Sequence, residues 1–151
     1  MTTYPNERRL KGNFVLLKAG RLQLLLPQHD VGAVENLSTK LQPTGQAGLF
    51  ELPADDSTDV RFVAVLSPQM RLLEQLPPGR LLLTSFPSQT GVLMGWDDVK
   101  VLIDAGIVPR ALPPAMLGAG CPLTEYVEFG EEVAFCCSAE RLLAQAFPAR
   151  S

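Results

Sequence analysis

The stretch NFVLLKAGRLQLLLP, residues 13–27, reads as two apolar strands folded back on each other around Ala19-Gly20. Glycine takes the positive φ that a tight turn demands, and Pro27 ends the second strand. After the polar break of Gln28, His29 and Asp30, residues 31–37 are apolar enough to return to the sheet. Two further hairpins share this grammar. Residues 80–86 and 91–96 flank the short turn 87–90, and residues 123–127 and 132–137 flank Phe129-Gly130. Three hairpins spread over the chain predict a mainly β protein.

The intervals are consistent with that reading. Residues 38–47 form a loop rich in proline, glycine and polar side chains. A short strand at 49–52 is separated by the turn-formers Asp55, Asp56 and Asp59 from the β-branched run 60–66, a hairpin with a long tip. Pro77-Pro78-Gly79 breaks the chain near its midpoint, and 103–122 reads as a connection with at most one short helix, 114–117, begun by proline. At the end, Ser138 stands where an N-cap belongs and Glu140 in the first turn. Leu142, Leu143, Ala146 and Phe147 share one stripe, which predicts an amphipathic helix over 138–147.

A faint echo links the halves: the first hairpin leads to Asp30-Val31 and then Val34, the second to Asp98-Val99 and then Leu102. A duplicated β-unit gives such an echo, and so does chance in a chain this rich in leucine and valine, so it carries no weight alone. Seven or more short strands with few helices predict a closed or nearly closed architecture, one barrel or two fused barrels, because closure removes exposed edges.

With 151 residues and 46% hydrophobic content, the chain suits one domain or two small lobes sharing a core. Residues 1–12 and 149–151 read as tails around a domain spanning 13–148. The net charge of −3 gives no global positive field, which argues against nucleic acid as a partner. Arg8, Arg9 and Lys11 read as a solvated cluster. No apolar run approaches the roughly 20 residues of a membrane helix, and the start has no apolar leader core, so a cytoplasmic location without membrane insertion is expected. Cys121 and the neighbours Cys136 and Cys137 make neither a disulfide framework nor a zinc pattern. Adjacent cysteines in a strand face opposite ways, and all three read as small core hydrophobes.

Candidates for chemistry are few. His29 is the single histidine, and although Gln28 and Asp30 flank it, adjacent residues seldom face one another, so a surface role is expected. Asp97-Asp98 reads as a turn or strand-end pair, because consecutive side chains diverge in extended backbone. Asp55, Asp56 and Asp59 lack the glycine and closing glutamate of a calcium loop. Gly118-Ala119-Gly120 lacks the strand before it and the lysine-serine pair after it that a phosphate loop needs. Arg61-Phe62 is too little for an RNA-binding platform. The expectation is a binding protein with no catalytic residue, no metal and no cofactor.

The order of these signals resembles the CheW-like domain of bacterial chemotaxis coupling proteins over residues 13–147. NFVLLKAGRLQLLLPQHDVGAVENL (13–37) looks like that family's first hairpin and the segment entering its third strand. VRFVAVLSPQMRLL (60–73) is similar to its apolar strand and leucine-rich turn, and RLLLTSFPSQTGVLMGWDDVKVL (80–102) to its central hairpin. LPPAMLGAG (112–120) and EEVAFCCSAERLL (131–143) are similar to its closing elements. The resemblance implies two fused small five-stranded SH3-like barrels with a short C-terminal helix. It also implies a scaffold role in chemotaxis-type signal transduction, binding a histidine kinase regulatory domain and/or chemoreceptors. It carries Val31 and Val34 to the receptor-facing segment and Val60 and Val65 to the kinase-facing lobe; an ordinary core role is the competing reading for each.

The chain departs from the family pattern where Gly48-Leu49-Phe50-Glu51-Leu52 runs into Pro53 and an acidic insertion. The arginine and glycine expected there are missing, and with them a forked charged contact. Two readings of Asp55, Asp56 and Asp59 stay open: a solvated loop that touches nothing, and an acidic tip that replaces the arginine contact and alters partner choice. Two other classes remain open: an unrelated β-barrel holding a small ligand in a deep apolar lumen, and a hydrolase with an unrecognised site.

Overall fold

A computed structural model describes residues 9–37, 40–52, 61–68, 71–75, 81–113 and 123–147. Strands β1 (Leu10–Ala19) and β2 (Leu22–Pro27) form the first hairpin, followed by a 3-10 turn at Gln28–Asp30. Then come β3 (Val34–Asn36), β4 (Gln42–Pro43), β5 (Phe50–Leu52) and β6 (Arg61–Val65). The second half holds β7 (Leu82–Phe86), β8 (Gln89–Trp96), β9 (Asp98–Ile107), β10 (Arg110–Ala111), β11 (Glu125–Phe129) and β12 (Glu132–Cys136). Helix α1 (Ala139–Ala146) closes the chain as its cap signals require: the Ser138 side chain accepts the Arg141 N–H, and the carbonyl of Ser138 accepts from Leu142. The described residues are mainly β, with one short α-helix near the C-terminus.

The strands form two six-stranded sheets, and the two have one topology. Sheet A runs β10-β11-β12-β2-β1-β9 and sheet B, read from its β4 edge, runs β4-β5-β6-β8-β7-β3. Adding six to each first-half strand number, and subtracting six from each second-half number, turns one order into the other. The parallel pairs correspond as well, β12 with β2 and β6 with β8. Each half therefore contributes its leading hairpin to one sheet and its last four strands to the other. The fine register agrees: the Asp97 N–H donates to the Lys18 carbonyl at the head of β9, as the Gly32 N–H donates to Ser85 ahead of β3, each at 2.8 Å. In this equivalence Val34 corresponds to Val99. The sequence echo had set Val31 beside Val99, three positions away.

Period-2 alternation sorts the apolar residues into three cores. Phe14, Leu25, Ile107, Val127 and Ala134 pack within sheet A, and Leu41, Leu52, Val63, Leu83 and Leu93 within sheet B. The third and largest joins the sheets, setting Leu17, Leu24 and Leu26 against Met94, Trp96 and Phe86, with Leu142 of α1 and its C-cap residue Phe147 packed into it. Trp96 is 1% exposed, and its indole N–H donates to the hydroxyl of the fully buried Thr84 at 3.0 Å. The neighbouring cysteines divide as adjacent strand-end residues should, Cys136 packing in the core of sheet A and Cys137 in the shared core.

Both sheets are rolled. In sheet A the opposite edges β9 and β10 are separated in the chain by Val108 and Pro109 alone. Six flat strands span about 24 Å edge to edge, whereas three Cα steps reach roughly 11 Å. Curling brings the edges together. In sheet B, Arg61 of β6 reaches Glu35 of β3 at 3.1 Å although two strands lie between them. Among the described residues, however, no ladder joins β9 to β10 or β3 to β4. The expectation of closed five-stranded barrels is thereby corrected to two rolled, open sheets of six strands each. Pro109 and Pro43, which have no N–H to give a ladder, sit at the two seams.

Three expectations need adjustment. The first strand begins at Leu10, which pairs with Ile107, so it extends into the segment read as a tail. Residues 103–107, read as connection, continue β9 past a bulge where Ile103 and Asp104 stand against Asn13. Asp104 takes φ 53°, and its N–H donates to Asn13 Oδ1 at 2.8 Å, so the side-chain amide replaces the ladder bond lost there. The loop 38–47 contains the two-residue strand β4. The break at 77–79, the helix expected at 114–117 and Cys121 lie outside the described residues. No helix among the described residues is long and apolar enough to cross a membrane.

Candidate functional site

The two halves differ where the chain leaves its leading hairpin. After β8 a single residue, Asp97, intervenes before β9; after β2 the 3-10 turn and residues 31–33 intervene before β3. Pro27 sets up that turn with φ −58° and ψ 142°. It throws Asp30 towards α1, where Asp30 Oδ2 accepts the Ala139 N–H at 3.0 Å. A carboxylate suits this place because the first amides of a helix lack intrahelical acceptors and carry partial positive charge.

A cleft of about 510 Å³ lies beside this contact, lined by His29, Asp30, Pro87, Ser88, Ser138 and Glu140 among others. His29 Nε2 stands 3.3 Å from Asp30 Oδ1, so these adjacent residues do meet. The tight 3-10 backbone brings together what extended backbone holds apart. The group resembles a nucleophile, base and orienting acid only in composition. Ser138 Oγ is occupied as the N-cap acceptor, Asp30 anchors the helix, and the His29 side chain is 84% exposed. A base so solvated has no low-dielectric setting in which to work. Asp30 fastens α1 to the turn after β2, and Ser138 caps the helix.

A second, smaller groove of about 270 Å³ opens on the concave face of sheet B, lined by Gly32, Arg61, Ser85, Gln89, Gly91 and Leu93 among others. Its size falls short of the roughly 300–1,000 Å³ of small-molecule sites. Arg61 of its lining makes a forked pair with Glu35, 3.1 Å and 3.3 Å long, between half-exposed partners. Also in the lining, the Ser85 carbonyl accepts from Gly32, and its hydroxyl accepts from the Ala33 N–H at 2.9 Å. Glycine at 32 leaves room for this contact, since a Cβ would come within 2.5 Å of Ser85 Oγ and oblige that side chain to move.

Of the residues the sequence singled out, Val34 is 46% exposed on the edge strand β3, next to Glu35. Val31 and Val65 are 8% and 3% exposed, and both are core residues offering a partner no surface. Asp55, Asp56, Asp59 and Val60 lie outside the described residues. Asp97 does serve a turn: its carboxylate accepts the N–H of Gly20, which sits at φ 61°. Sequence reasoning missed the Arg61–Glu35 pair. Each residue shares strand parity with a concave-face neighbour, Arg61 with Val63 and Glu35 with Leu37, but nothing local says that β3 and β6 approach. Burial pushes the Cys137 thiol from 9.0 up to about 11, so it is protonated and inert near neutrality. No group of three or more potential metal-ligating side chains occurs among the described residues.

No family model and no curated protein matches this chain.

Proposed function

We propose that the protein is a non-enzymatic adaptor of the CheW-like kind, which couples a histidine kinase regulatory domain and/or a chemoreceptor to its pathway. The observation that supports this most is architectural: two rolled sheets of identical strand order, built from exchanged halves and fused through one shared core. In this reading β9 and β10 are one strand bent at Val108-Pro109, pairing with β1 at one end and β11 at the other. Each lobe then descends from a five-stranded SH3-like barrel, in line with the sequence resemblance.

The binding surface in this reading is the rim of sheet B. Val34 supplies an exposed aliphatic contact, and the Arg61–Glu35 pair beside it presents both charges for orientation. Arg61, at the start of β6, carries a guanidinium whose fork is held by Glu35, so a partner meets an oriented ion pair where the family's usual position would give a lone arginine. An aliphatic contact flanked by fixed charges suits modest, exchangeable binding, in which charge sets partner choice and encounter rate. The cleft at His29 is a structural clamp in this account, and the reading as an enzyme is not favoured.

The test is titration of the intact protein with a chemoreceptor cytoplasmic tip and with a kinase regulatory domain. Binding to at least one is expected. Val34→Asp should weaken it at least tenfold while leaving the melting temperature unchanged, and His29→Ala should leave it intact. No binding to either partner overturns the adaptor reading. Loss of activity on His29→Ala in a folded protein reinstates an active site.

A further inference from the structure

Four strands lie at sheet edges, and they are unequal. β4 and β10 have two residues and β3 has three, whereas β9 has ten. Among the described residues the side of β9 away from β1 is unpaired. A long free edge presents a row of N–H and C=O groups ready to take another strand. This one also exposes aliphatic side chains, Val101 at 45% and Ile103 at 74%. Solvating both leaves apolar area that a partner strand would cover.

The order of residues along β9 indicates which strand fits. Lys100-Val101-Leu102-Ile103-Asp104 runs cation, three aliphatics, anion, and is complementary to its own reverse. Antiparallel pairing about a two-fold axis at Leu102 sets Lys100 against Asp104 of the second copy, twice. It also sets Val101 against Ile103, twice. Opposite charges and β-branched pairs are favourable across a ladder, and a two-fold contact demands a self-complementary patch of this kind. We propose that the free edge of β9 is where a second copy of this chain adds, antiparallel and centred on Leu102, joining two A sheets into one.

The bulge keeps the contact short: Asp104, at φ 53°, is the last residue that can face the partner, and the edge twists away beyond it. The Lys11–Asp104 pair within one chain, 3.7 Å long with side chains 71% and 75% exposed, is too solvated to hold Asp104 back. A contact this short is smaller than that of a permanent dimer, so association should be reversible and depend on concentration.

Sedimentation velocity on the intact protein over a wide concentration range tests the proposal. The expected result is a sedimentation coefficient rising toward that of a dimer. Lys100→Asp alone, or Asp104→Lys alone, sets like charges opposite each other and should hold each protein monomeric. An equimolar mixture of the two restores both ion pairs and should dimerise again. Where Asp104→Lys lowers the melting temperature, Ile103→Asp serves instead: the site is 74% exposed, so the fold is kept while dimerisation is lost. A natural protein that stays monomeric throughout overturns the proposal. So does dimerisation that survives both single changes, or a mixture of folded variants that stays monomeric.

Discussion

Sheets A and B are built on one ladder. Phe135, Leu24, Leu17 and Val99 stand side by side across sheet A, and Ala64, Met94, Thr84 and Val34 occupy the equivalent places across sheet B. The lobes diverge only outside that ladder. β9 runs for ten residues where β3 has three, Asp97 stands where Gly32 does, and α1 follows β12. The free edge of β9 and the cleft beside α1 belong to these departures, whereas Val34 stands on the ladder itself, exposed where its equivalent Val99 is partly buried. The repeated ladder holds the protein together, and the unequal additions make the surfaces of the two lobes differ.

The largest effect should come from the core that both sheets share. Trp96→Ala removes a fully buried indole and leaves the Thr84 hydroxyl unpaired, which costs about 3–5 kcal/mol. Because both lobes rest on that core, they should melt together in a single transition seen alike by far-ultraviolet circular dichroism and calorimetry. Two separated transitions would mean that each sheet stands alone.

A smaller effect separates the equivalent positions Gly32 and Asp97. Gly32→Ala drives a methyl group against Ser85 Oγ, at a cost of about 1–3 kcal/mol. Adding Ser85→Ala should recover part of it, the non-additivity being read by a double-mutant cycle in denaturant. Ser138→Ala removes the cap of α1 and should cost about 1 kcal/mol. Arg61→Ala, which breaks a pair whose partners are about 40% exposed, should cost at most about 1 kcal/mol. Its consequence is expected in binding and in salt dependence.

The shared core also sets an alkaline limit. Cys137 holds its proton more tightly when folded, with its pKa raised from 9.0 to about 11 by burial. The stability associated with that raised value is fully present below pH 9 and is lost as the pH climbs toward 11. Cys137→Ala should flatten the fall in melting temperature over that window, while the half-buried Cys136 should be the faster of the two to react with a thiol reagent.

The three hairpins, the C-terminal helix and its cap were legible because each rests on local chemistry, a turn glycine or an N-cap serine beside period-2 or period-3.6 apolar spacing. The exchange of hairpins between halves was not legible. It depends on which strands meet across long sequence separations, and the echo in the sequence carried a register three residues off the structural one. The extension of β9 was obscured because Asp104, Ala105 and Gly106 lack strand character and are carried by pairing with β1. At the candidate surface, Val34 was legible as an aliphatic residue leaving the first hairpin. Its neighbour Arg61 was not, because only the roll of sheet B brings that side chain to Glu35.

The claim most exposed to test is that the halves are exchanged, and cutting the chain at Pro77-Pro78-Gly79 tests it. Residues 1–77 and 78–151, expressed separately, should each remain unfolded, because neither half holds a complete sheet. Expressed together they should co-purify one to one and recover the buried emission of the single tryptophan. A half that folds alone into a stable monomer, with no affinity for the other, would contradict the account.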